Sequence, residues 1–211
     1  MKLKTIIQRV IFHEGPVFYL GLVVDRFLFK MFFQHYYGKT FRHYGRNIKW
    51  GIHGMKYCIP RSVRISSPHL ISIADNCQFD EYVYLQCHHE GEGLFVGNNT
   101  RVNAFSHIQA FSKITIGNNV LIAPFSHISG GNHGNVNDDR PKMEHPYFKA
   151  GEINIGDGVW LGRSSHVLGG VSLGRNCIVA AGAVVTKSFP EFSVIGGIPA
   201  RTLRRKDDHR T

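Results

Sequence analysis

The sequence predicts an all-β solenoid of the parallel β-helix type, and three observations support this prediction. Aliphatic residues recur every six positions near the C-terminus, which neither the 3.6-residue period of a helix nor the two-residue period of a flat strand explains. Small residues often follow them, as expected where a chain turns a corner. Interrupted copies of the pattern extend upstream over more than half the chain, as in short-period coils. The regular run consists of Ile155, Leu161, Val167, Leu173, Val179 and Val185.

Each upstream triplet of apolar residues predicts one coil of a triangular prism, with every member pointing inward. Five coils are expected between Ile73 and about Phe189, with a weaker one around Val63 and Ile65. Coils should stack at about 4.8 Å, the spacing of paired strands. An ordinary β-sandwich is the alternative, but its strand spacing would be irregular. The triplets are Ile73, Phe79 and Leu85; Val96, Val102 and Ile108; and Ile116, Ile122 and Ile128.

These patterns divide the chain into three regions. A basic, aromatic segment occupies residues 1–60, the β-helix spans 61–190, and a loop with a basic tail follows at 191–211. Within the β-helix, residues 130–152 are polar, marked by glycine and proline, and lack apolar periodicity, which predicts a loop ejected from a corner. Loops of this length inside compact domains are usually functional or disordered.

The N-terminal segment carries most of the net charge of +10, with ten Lys or Arg against two acidic residues. Two interpretations remain open. The segment is a helical cap over the first coil, or residues 1–35 contact the anionic inner face of the cytoplasmic membrane as an amphipathic helix. A spanning helix is not expected, because Asp25, Arg26 and Lys30 interrupt the apolar stretch at 17–33. Nucleic acid is not expected as a partner, because no binding motif accompanies the basic residues.

The cysteines favour a reducing, cytoplasmic location. Cys58, Cys77, Cys87 and Cys177 show no C-x-x-C spacing. Cys77 and Cys177 each follow an inward aliphatic by four positions and are expected to be small core residues. This usage does not indicate a disulfide framework.

Three histidines and one tyrosine form a predicted column, called the imidazole column, on one corner of the prism. They stand five residues after the middle aliphatic of successive triplets, so neighbours should lie about one coil apart. Asn103 is expected beside this column, and the ejected loop, with His133, close to it. A zinc site is an alternative, because histidine is the commonest metal ligand, but no carboxylate is placed to fix the tautomers, and no metal is expected. The column consists of Tyr84, His107, His127 and His166.

Five stretches of the C-terminal half resemble a known family. They are I-G-N-N-V-L-I-A-P, I-S-G-G-N-H-G, I-G-D-G-V-W-L-G, A-A-G-A-V-V-T-K and I-G-G-I-P-A-R. The chain resembles the hexapeptide-repeat acyltransferases over roughly residues 73–205. It is most similar to the galactoside and maltose O-acetyltransferases and to those of colanic acid, capsule and lipopolysaccharide. The resemblance implies a left-handed coil, acetyl-CoA as co-substrate, and a homotrimer with coenzyme A between adjacent prisms.

An apolar prism wall would fit such a homotrimer, because large exposed apolar patches mark interaction sites. The side chains expected on that wall are Phe105, Phe111, Phe125 and Trp160.

The resemblance also implies roles for individual residues. His133, in N-H-G, matches the catalytic base, and Asn103 matches the active-site asparagine. The column itself, and not the resemblance, supplies the residues expected to bind the acceptor, which are Tyr84, His107 and His127. Arg163 is counted with the cofactor site, although the galactoside enzymes carry a small polar residue there. The cofactor site comprises Trp160, Arg163, Ala181, Gly182, Thr186, Lys187, Arg201 and Arg204.

The chemistry of O-acetylation suits these residue types. A sugar hydroxyl is a poor nucleophile near neutral pH, and a positioned imidazole can remove its proton and return it to the leaving thiolate. Such general-base help is worth about 10²- to 10⁴-fold in rate. No serine or cysteine stands in a nucleophile motif, which favours direct transfer over an acyl-enzyme.

Three functions remain open at this point. The first is O-acetylation of a surface polysaccharide or its lipid-linked precursor. The second is O-acetylation of a small soluble sugar or xenobiotic. The third is a non-catalytic hexapeptide-repeat scaffold.

Overall fold

The computed structural model describes residues 59–60, 62–134 and 139–204. These residues form a parallel β-solenoid of about six turns. The predicted cap or membrane segment at 1–60 lies almost wholly outside the described residues, and so do residues 205–211 of the basic tail. In the part that the structure describes, no helix has the length and apolar content needed to cross a membrane.

Each coil crosses three faces of a prism in turn. Face 1 contains β2 (Ile71–Ile73), β5 (Leu94–Val96), β8 (Ile114–Ile116), β13 (Ile153–Ile155) and β16 (Ser172–Leu173). Face 2 contains β3 (Gln78–Phe79), β6 (Arg101–Val102), β9 (Leu121–Ile122), β14 (Trp160–Leu161), β17 (Ile178–Val179), β19 (Val194–Gly197) and β20 (Ala200–Arg204). Face 3 contains β1 (Arg64–Ser66), β4 (Tyr84–Cys87), β7 (His107–Ala110), β10 (His127–Ser129), β15 (His166–Leu168) and β18 (Val184–Val185).

The six-residue spacing sets the core. The inward residue of each strand stacks on the inward residue of the next coil, as in the pairs Phe79 with Val102 and Leu161 with Val179. These side chains are buried, with Leu161 at 0% and Val179 at 1% exposure. The weaker coil predicted around Ile65 is confirmed, because β1 pairs in parallel with β4. The hexad pattern therefore predicts both the fold and its register.

The corner between faces 1 and 2 is built from asparagines in the left-handed backbone region. Asn76, Asn99 and Asn119 have φ of 64°, 57° and 56°. Asparagine tolerates this conformation better than most residues. Their side-chain amides also form a ladder, in which Asn76 Nδ2 donates to Asn99 Oδ1 at 2.8 Å and Asn99 Nδ2 to Asn119 Oδ1 at 3.2 Å.

The corner between faces 2 and 3 uses aromatic residues at equivalent positions. Tyr82, Phe105 and Phe125 have φ of 60°, 60° and 63°, which is unusual for bulky side chains. Their rings stack at centroid distances of 5.0 Å while remaining about half exposed. The Arg163 guanidinium covers the last ring, 4.6 Å from the Phe125 centroid. We call this set the aromatic corner.

The segment ejected at 130–152 contains regular structure, unlike the loop that the sequence predicts. Strands β11 (Gly131–His133) and β12 (Tyr147–Lys149) form an antiparallel arm, and a 3₁₀ turn spans Lys142–Glu144. The sequence of the arm lacks apolar alternation because both strands are short and largely exposed, so its pairing left no pattern to detect. A second 3₁₀ turn, at Pro68–Leu70, precedes β2.

The C-terminal boundary predicted at residue 190 is also wrong. Strand β19 pairs in parallel with β17 and so continues face 2. Strand β20 then folds back antiparallel to β19. The described part of the predicted C-terminal loop is therefore a β-hairpin, since the glycines and proline at 196–199 mark its turn.

Candidate functional site

His133 lies on the arm, at the edge where face 3 turns into face 1. It pairs across the arm with Tyr147, and the two rings lie 4.2 Å apart between centroids. Its backbone N–H donates to Asn132 Oδ1 at 2.8 Å. The His133 side chain is exposed. The structure therefore offers this imidazole to a molecule bound outside the prism.

Hydrogen bonds at the base of the arm fix its position on the prism. The Ala150 N–H donates to the Gly130 carbonyl at 3.0 Å, and the Gly151 N–H donates to Ser112 Oγ at 3.1 Å. Ser129 Oγ donates to the Gly131 carbonyl at 2.8 Å. A side chain at Gly131 would meet Phe111, because an added Cβ would lie 2.4 Å from the Phe111 Cβ.

An aromatic wall continues from His133 along the same edge. Tyr147 contacts Phe111 at 5.0 Å between ring centroids, and Phe111 stacks on His88 at 4.8 Å. Phe111 is only 5% exposed, so its predicted place on an exposed apolar wall is wrong. It packs beneath the arm, whereas Phe105, Phe125 and Trp160 are about half exposed as expected.

A charged pair borders this wall. Lys149 Nζ lies 2.6 Å from Glu92 Oε1, and both side chains are about half exposed. The hydrogen bond and positive charge of Lys149 lower the pKa of Glu92. The pair connects β12 to the turn before β5.

Sequence reasoning did not single out His88, Tyr147, Glu92 or Lys149 as site residues. His88 follows β4 at a corner, and its sequence neighbours gave no periodic signal. The contact of Tyr147 with His133 depends on the pairing register of the arm, which short polar strands do not reveal.

The predicted imidazole column is present on face 3. Tyr84 pairs with His107, His107 with His127, and His127 with His166. The first three rings stack at 4.8 and 5.0 Å, and His166 meets His127 edge-on at 5.8 Å. His107 Nε2 also lies 3.0 Å from Gln86 Oε1. The column positions follow from coil register alone.

Burial changes the acid–base chemistry of this column. Desolvation, with smaller effects of His107 and His166, lowers the pKa of His127 to about 4. Desolvation also lowers the pKa of His107. Among the described residues, His127 Nε2 has no hydrogen-bond partner. His127 is therefore neutral near neutral pH, and burial favours the neutral form of His107 as well.

Within one chain, the structure does not bring His133 into this column. Asn103 directly follows β6, half-buried, and its N–H donates to the Ile122 carbonyl at 2.9 Å. Asn103 and the column thus begin at the edge between faces 2 and 3. His133 lies beyond the opposite end of the face 3 strands. A strand of three residues spans about 10 Å, so His133 is at least about that far from the edge where the column begins.

The predicted cofactor residues are divided in the same way. One group lies on face 2 or its edge with face 3, and the other follows β18 at the edge between faces 3 and 1. All of them are exposed. The first group comprises Trp160, Arg163, Ala181, Gly182, Arg201 and Arg204. The second comprises Thr186 and Lys187.

One group of metal-ligand type occurs in the described ranges. The candidate ligand atoms of His88, His89 and Glu90 all lie within 4.8 Å of one another. His88 Nδ1 accepts a hydrogen bond from the Glu90 N–H at 3.3 Å.

The chain is similar in sequence to a known protein family and to individual acetyltransferases. Residues 152–187 match the family described as bacterial transferase hexapeptide (six repeats). Over 125 residues the chain is 35% identical to WbbJ of Escherichia coli (strain K12), named as a candidate O-acetyl transferase of lipopolysaccharide biosynthesis. That match covers 56% of this chain and 63% of WbbJ. A chloramphenicol acetyltransferase of Agrobacterium fabrum is 30% identical over 95 residues, or 38% of this chain and 46% of the relative.

Two solved structures are similar in fold. One is a galactoside acetyltransferase in complex with coenzyme A, with a TM-score of 0.56, 30% identity, and coverage of 63% of this chain and 64% of that one. The other is a hexapeptide-repeat acetyltransferase of Vibrio cholerae with acetyl coenzyme A, with a TM-score of 0.56, 28% identity, and coverage of 65% and 72%.

These comparisons confirm two predictions. The chain is a left-handed parallel β-helix, and its resemblance to the hexapeptide-repeat acyltransferases, including the galactoside and lipopolysaccharide O-acetyltransferases, holds. The chain covers less than two thirds of the length of WbbJ and of the chloramphenicol enzyme, at 63% and 46%.

Proposed function

We propose that this protein is an acetyl-CoA-dependent O-acetyltransferase that acts on a sugar hydroxyl of a surface polysaccharide or its lipid-linked precursor. The observation that carries the proposal is the exposed imidazole of His133, held on an arm at the prism edge. Similar proteins are named as acetyltransferases, and two similar structures hold coenzyme A or acetyl coenzyme A. WbbJ supports a glycan acceptor.

The proposed reaction is a direct transfer. His133 removes the proton of the acceptor hydroxyl while the oxygen of that hydroxyl attacks the carbonyl carbon of the thioester. The C–S bond then breaks, the proton passes from the imidazole to the thiolate, and the products are an acetyl ester and coenzyme A. Asn103 is proposed to position the reacting groups, because an amide can donate and accept hydrogen bonds at once. No step in this sequence requires a metal.

We propose a homotrimer as the active form. The two groups of predicted site residues lie on opposite edges of face 3, so no single prism brings them together. If the edge with His133 meets the edge with Asn103 of a neighbour, one complete site forms at each contact. Such head-to-tail contacts close into rings. The exposed aromatic corner would also be covered by this association.

Coenzyme A is proposed to lie in the groove between prisms. Trp160 is 47% exposed and offers an apolar surface for the pantetheine chain. Arg201 and Arg204 are exposed on β20 and would bind the phosphates. We place the reaction in the cytoplasm, where Cys77, Cys87 and Cys177, which are free and buried, remain reduced. If the acceptor is the lipid-linked precursor, we propose that residues 1–35 contact the inner face of the membrane.

A small soluble acceptor is the second candidate. The similarity to a chloramphenicol acetyltransferase favours it. Deletion of residues 1–35 distinguishes the two acceptors. Full activity on a soluble sugar or chloramphenicol, without vesicle binding by the intact chain, would favour the small acceptor. A non-catalytic scaffold would bind no coenzyme A.

Replacement of His133 tests the proposal directly. The purified protein is incubated with labelled acetyl-CoA and glycans of the source organism, and mass spectrometry locates the label. His133→Ala should lower kcat by at least about 100-fold, because general-base help is lost. Its Kd for coenzyme A should stay within about twofold of the unsubstituted protein, since truncating one exposed ring leaves the rest of the cofactor groove in place.

His69→Ala is the matched control, since His69 is another exposed histidine but lies in the 3₁₀ turn before β2. It should leave kcat unchanged. Equal loss of transfer and of coenzyme A binding in His133→Ala would indicate a structural role for His133. Unchanged transfer would contradict the proposal.

A further inference from the structure

The two sides of the arm differ in what they contact. Side chains alternate between the two sides of a strand. His133, Tyr147 and Lys149 therefore share one side, which turns towards Phe111 and His88. Asn132 and Phe148 form a pair on the opposite side.

The side with His133 has an apolar floor and a polar rim. Phe111 is buried beneath Tyr147, and the Tyr147 ring remains 52% exposed. Glu92 and Lys149 are about half exposed and lie together at the border of this surface. A half-exposed aromatic ring thus lies against the proposed catalytic imidazole, and a carboxylate–ammonium pair lies further along the same side of the arm.

We propose that this side of the arm is the acceptor subsite, where Tyr147 stacks on a pyranose ring and Glu92 with Lys149 bind its hydroxyls. This inference rests on the proposed function and names residues that decide its acceptor. An aromatic face is negatively polarised and attracts the C–H groups of an apolar ring face. A half-exposed carboxylate and ammonium accept and donate hydrogen bonds to neighbouring hydroxyls.

The charged rim favours a sugar over an apolar acceptor. An apolar molecule on Tyr147 would cover Glu92 and Lys149 without replacing their bonds to water, which costs free energy. The stacked rings of Tyr84, His107 and His127 are less suited to hold a sugar face, because they are half-buried, whereas Tyr147 is 52% exposed.

Binding of simple sugars tests the subsite without requiring turnover. The probes are the methyl glycosides of galactose, glucose, mannose and N-acetylglucosamine, with saturation-transfer NMR and titration on the full chain with coenzyme A present. At least one glycoside should bind the unsubstituted protein. Tyr147→Ala should weaken that binding about 5- to 10-fold, as the loss of one stacked ring does. Glu92→Gln should weaken it as well.

Tyr147→Phe and Phe148→Ala are the controls. Tyr147→Phe keeps the ring and should keep the binding within about twofold. Phe148 is the adjacent aromatic residue, 41% exposed on the opposite side of the same strand, so Phe148→Ala should leave sugar binding unchanged. It also reports any general loosening of the arm. In all variants the Kd for coenzyme A should remain unchanged.

The outcomes separate this inference from the proposed function. If no glycoside binds, or if Phe148→Ala weakens binding as much as Tyr147→Ala, the subsite is refuted even where acetyl transfer to another acceptor occurs. If glycosides bind through Tyr147 but no acetyl transfer is detected to any glycan, the sugar-binding surface stands, while its role as an acceptor subsite fails together with the acetyltransferase proposal. Where transfer does occur, Tyr147→Ala should raise the KM for the acceptor and not that for acetyl-CoA.

Discussion

At the scale of single residues, His127 shows how a solenoid changes side-chain chemistry. Each coil places one ring on the next, and His127 lies between His107 and His166. The charged form of His127 is disfavoured because water is excluded and because its neighbours would also be positive. A histidine that would titrate near pH 6.5 in an unfolded chain therefore stays neutral in the fold.

The pH dependence of stability follows from this shift. The folded pKa of about 4 lies below the unfolded value, so only the unfolded state takes up the proton between about pH 6.5 and 4. This contribution is fully present above pH 6.5 and is lost as the pH falls towards 4. Because the ring is partly exposed, we expect a loss on the order of 2 kcal/mol.

Urea unfolding between pH 7.5 and 4.5 measures this effect. His127→Gln should flatten the profile, because the shifted ring is removed. An identical slope in the unsubstituted protein and in His127→Gln would contradict the assignment.

At the scale of elements, the arm depends on one glycine. Gly131 lets β11 pass directly over Phe111, where an added Cβ would lie 2.4 Å from the Phe111 Cβ and 2.5 Å from its Cγ. Backbone and aromatic ring are in contact here, and neither is the far end of a flexible side chain. The position of His133 therefore depends on the fit between Gly131 and Phe111.

Gly131→Ala should displace the arm and lower kcat by at least about tenfold, since small displacements of catalytic groups are costly. It should also destabilise the fold by about 1–3 kcal/mol through overpacking. The check is a double-mutant cycle with Phe111→Gly, which removes both the Cβ and the ring, by urea unfolding and acetyl transfer. Gly131→Ala should cost less free energy of unfolding in the Phe111→Gly background, because the atoms that it would meet are absent. Additive effects would mean that the two residues do not compete for space.

A single strand of the prism also makes a sharp test of register. On β17, Val179 is 1% exposed and points inward, whereas Ile178 is partly exposed on the outer surface. Val179→Asp should destabilise the protein by at least about 3 kcal/mol, because it buries an unpaired charge. Ile178→Asp should cost much less. Thermal melting of both variants decides the matter, and equal effects would contradict the inward placement of Val179.

At the scale of the whole molecule, the prism separates groups that the proposed reaction needs together. His133 lies at one edge of face 3 and Asn103 at the other. A head-to-tail ring would join the two edges from neighbouring chains, so each site would take its base from one chain and its amide from another.

Subunit complementation tests this arrangement. His133→Ala and Asn103→Ala should each be nearly inactive alone. The mixed trimers, which hold two copies of one variant and one of the other, should recover about a third of the full activity, because one of the three contacts in each combines both intact residues. Co-expression with two affinity tags isolates the mixed species. No recovery would show that each site lies within one chain.

The six-residue pattern was sufficient to predict the coil and the residues of the imidazole column on face 3. Because side chains at equivalent positions of successive coils must stack, Tyr84, His107 and His127 could be aligned from spacing alone. The same logic placed Val179 in the core. The pattern could not reveal the arm, whose register depends on hydrogen bonds between short polar strands, nor the hairpin that ends face 2.

What the sequence by itself determined is therefore the prism and every position that repeats with it, since a six-residue period leaves the chain one way to bury its aliphatic side chains. Tertiary structure alone decided the surroundings of His133. The contacts of Tyr147, Phe111 and His88 join segments far apart in the chain, and no local period encodes them. It also decided that Asn103 and His133 lie on opposite edges, because the width of a face, and not the number of residues between them, sets their separation.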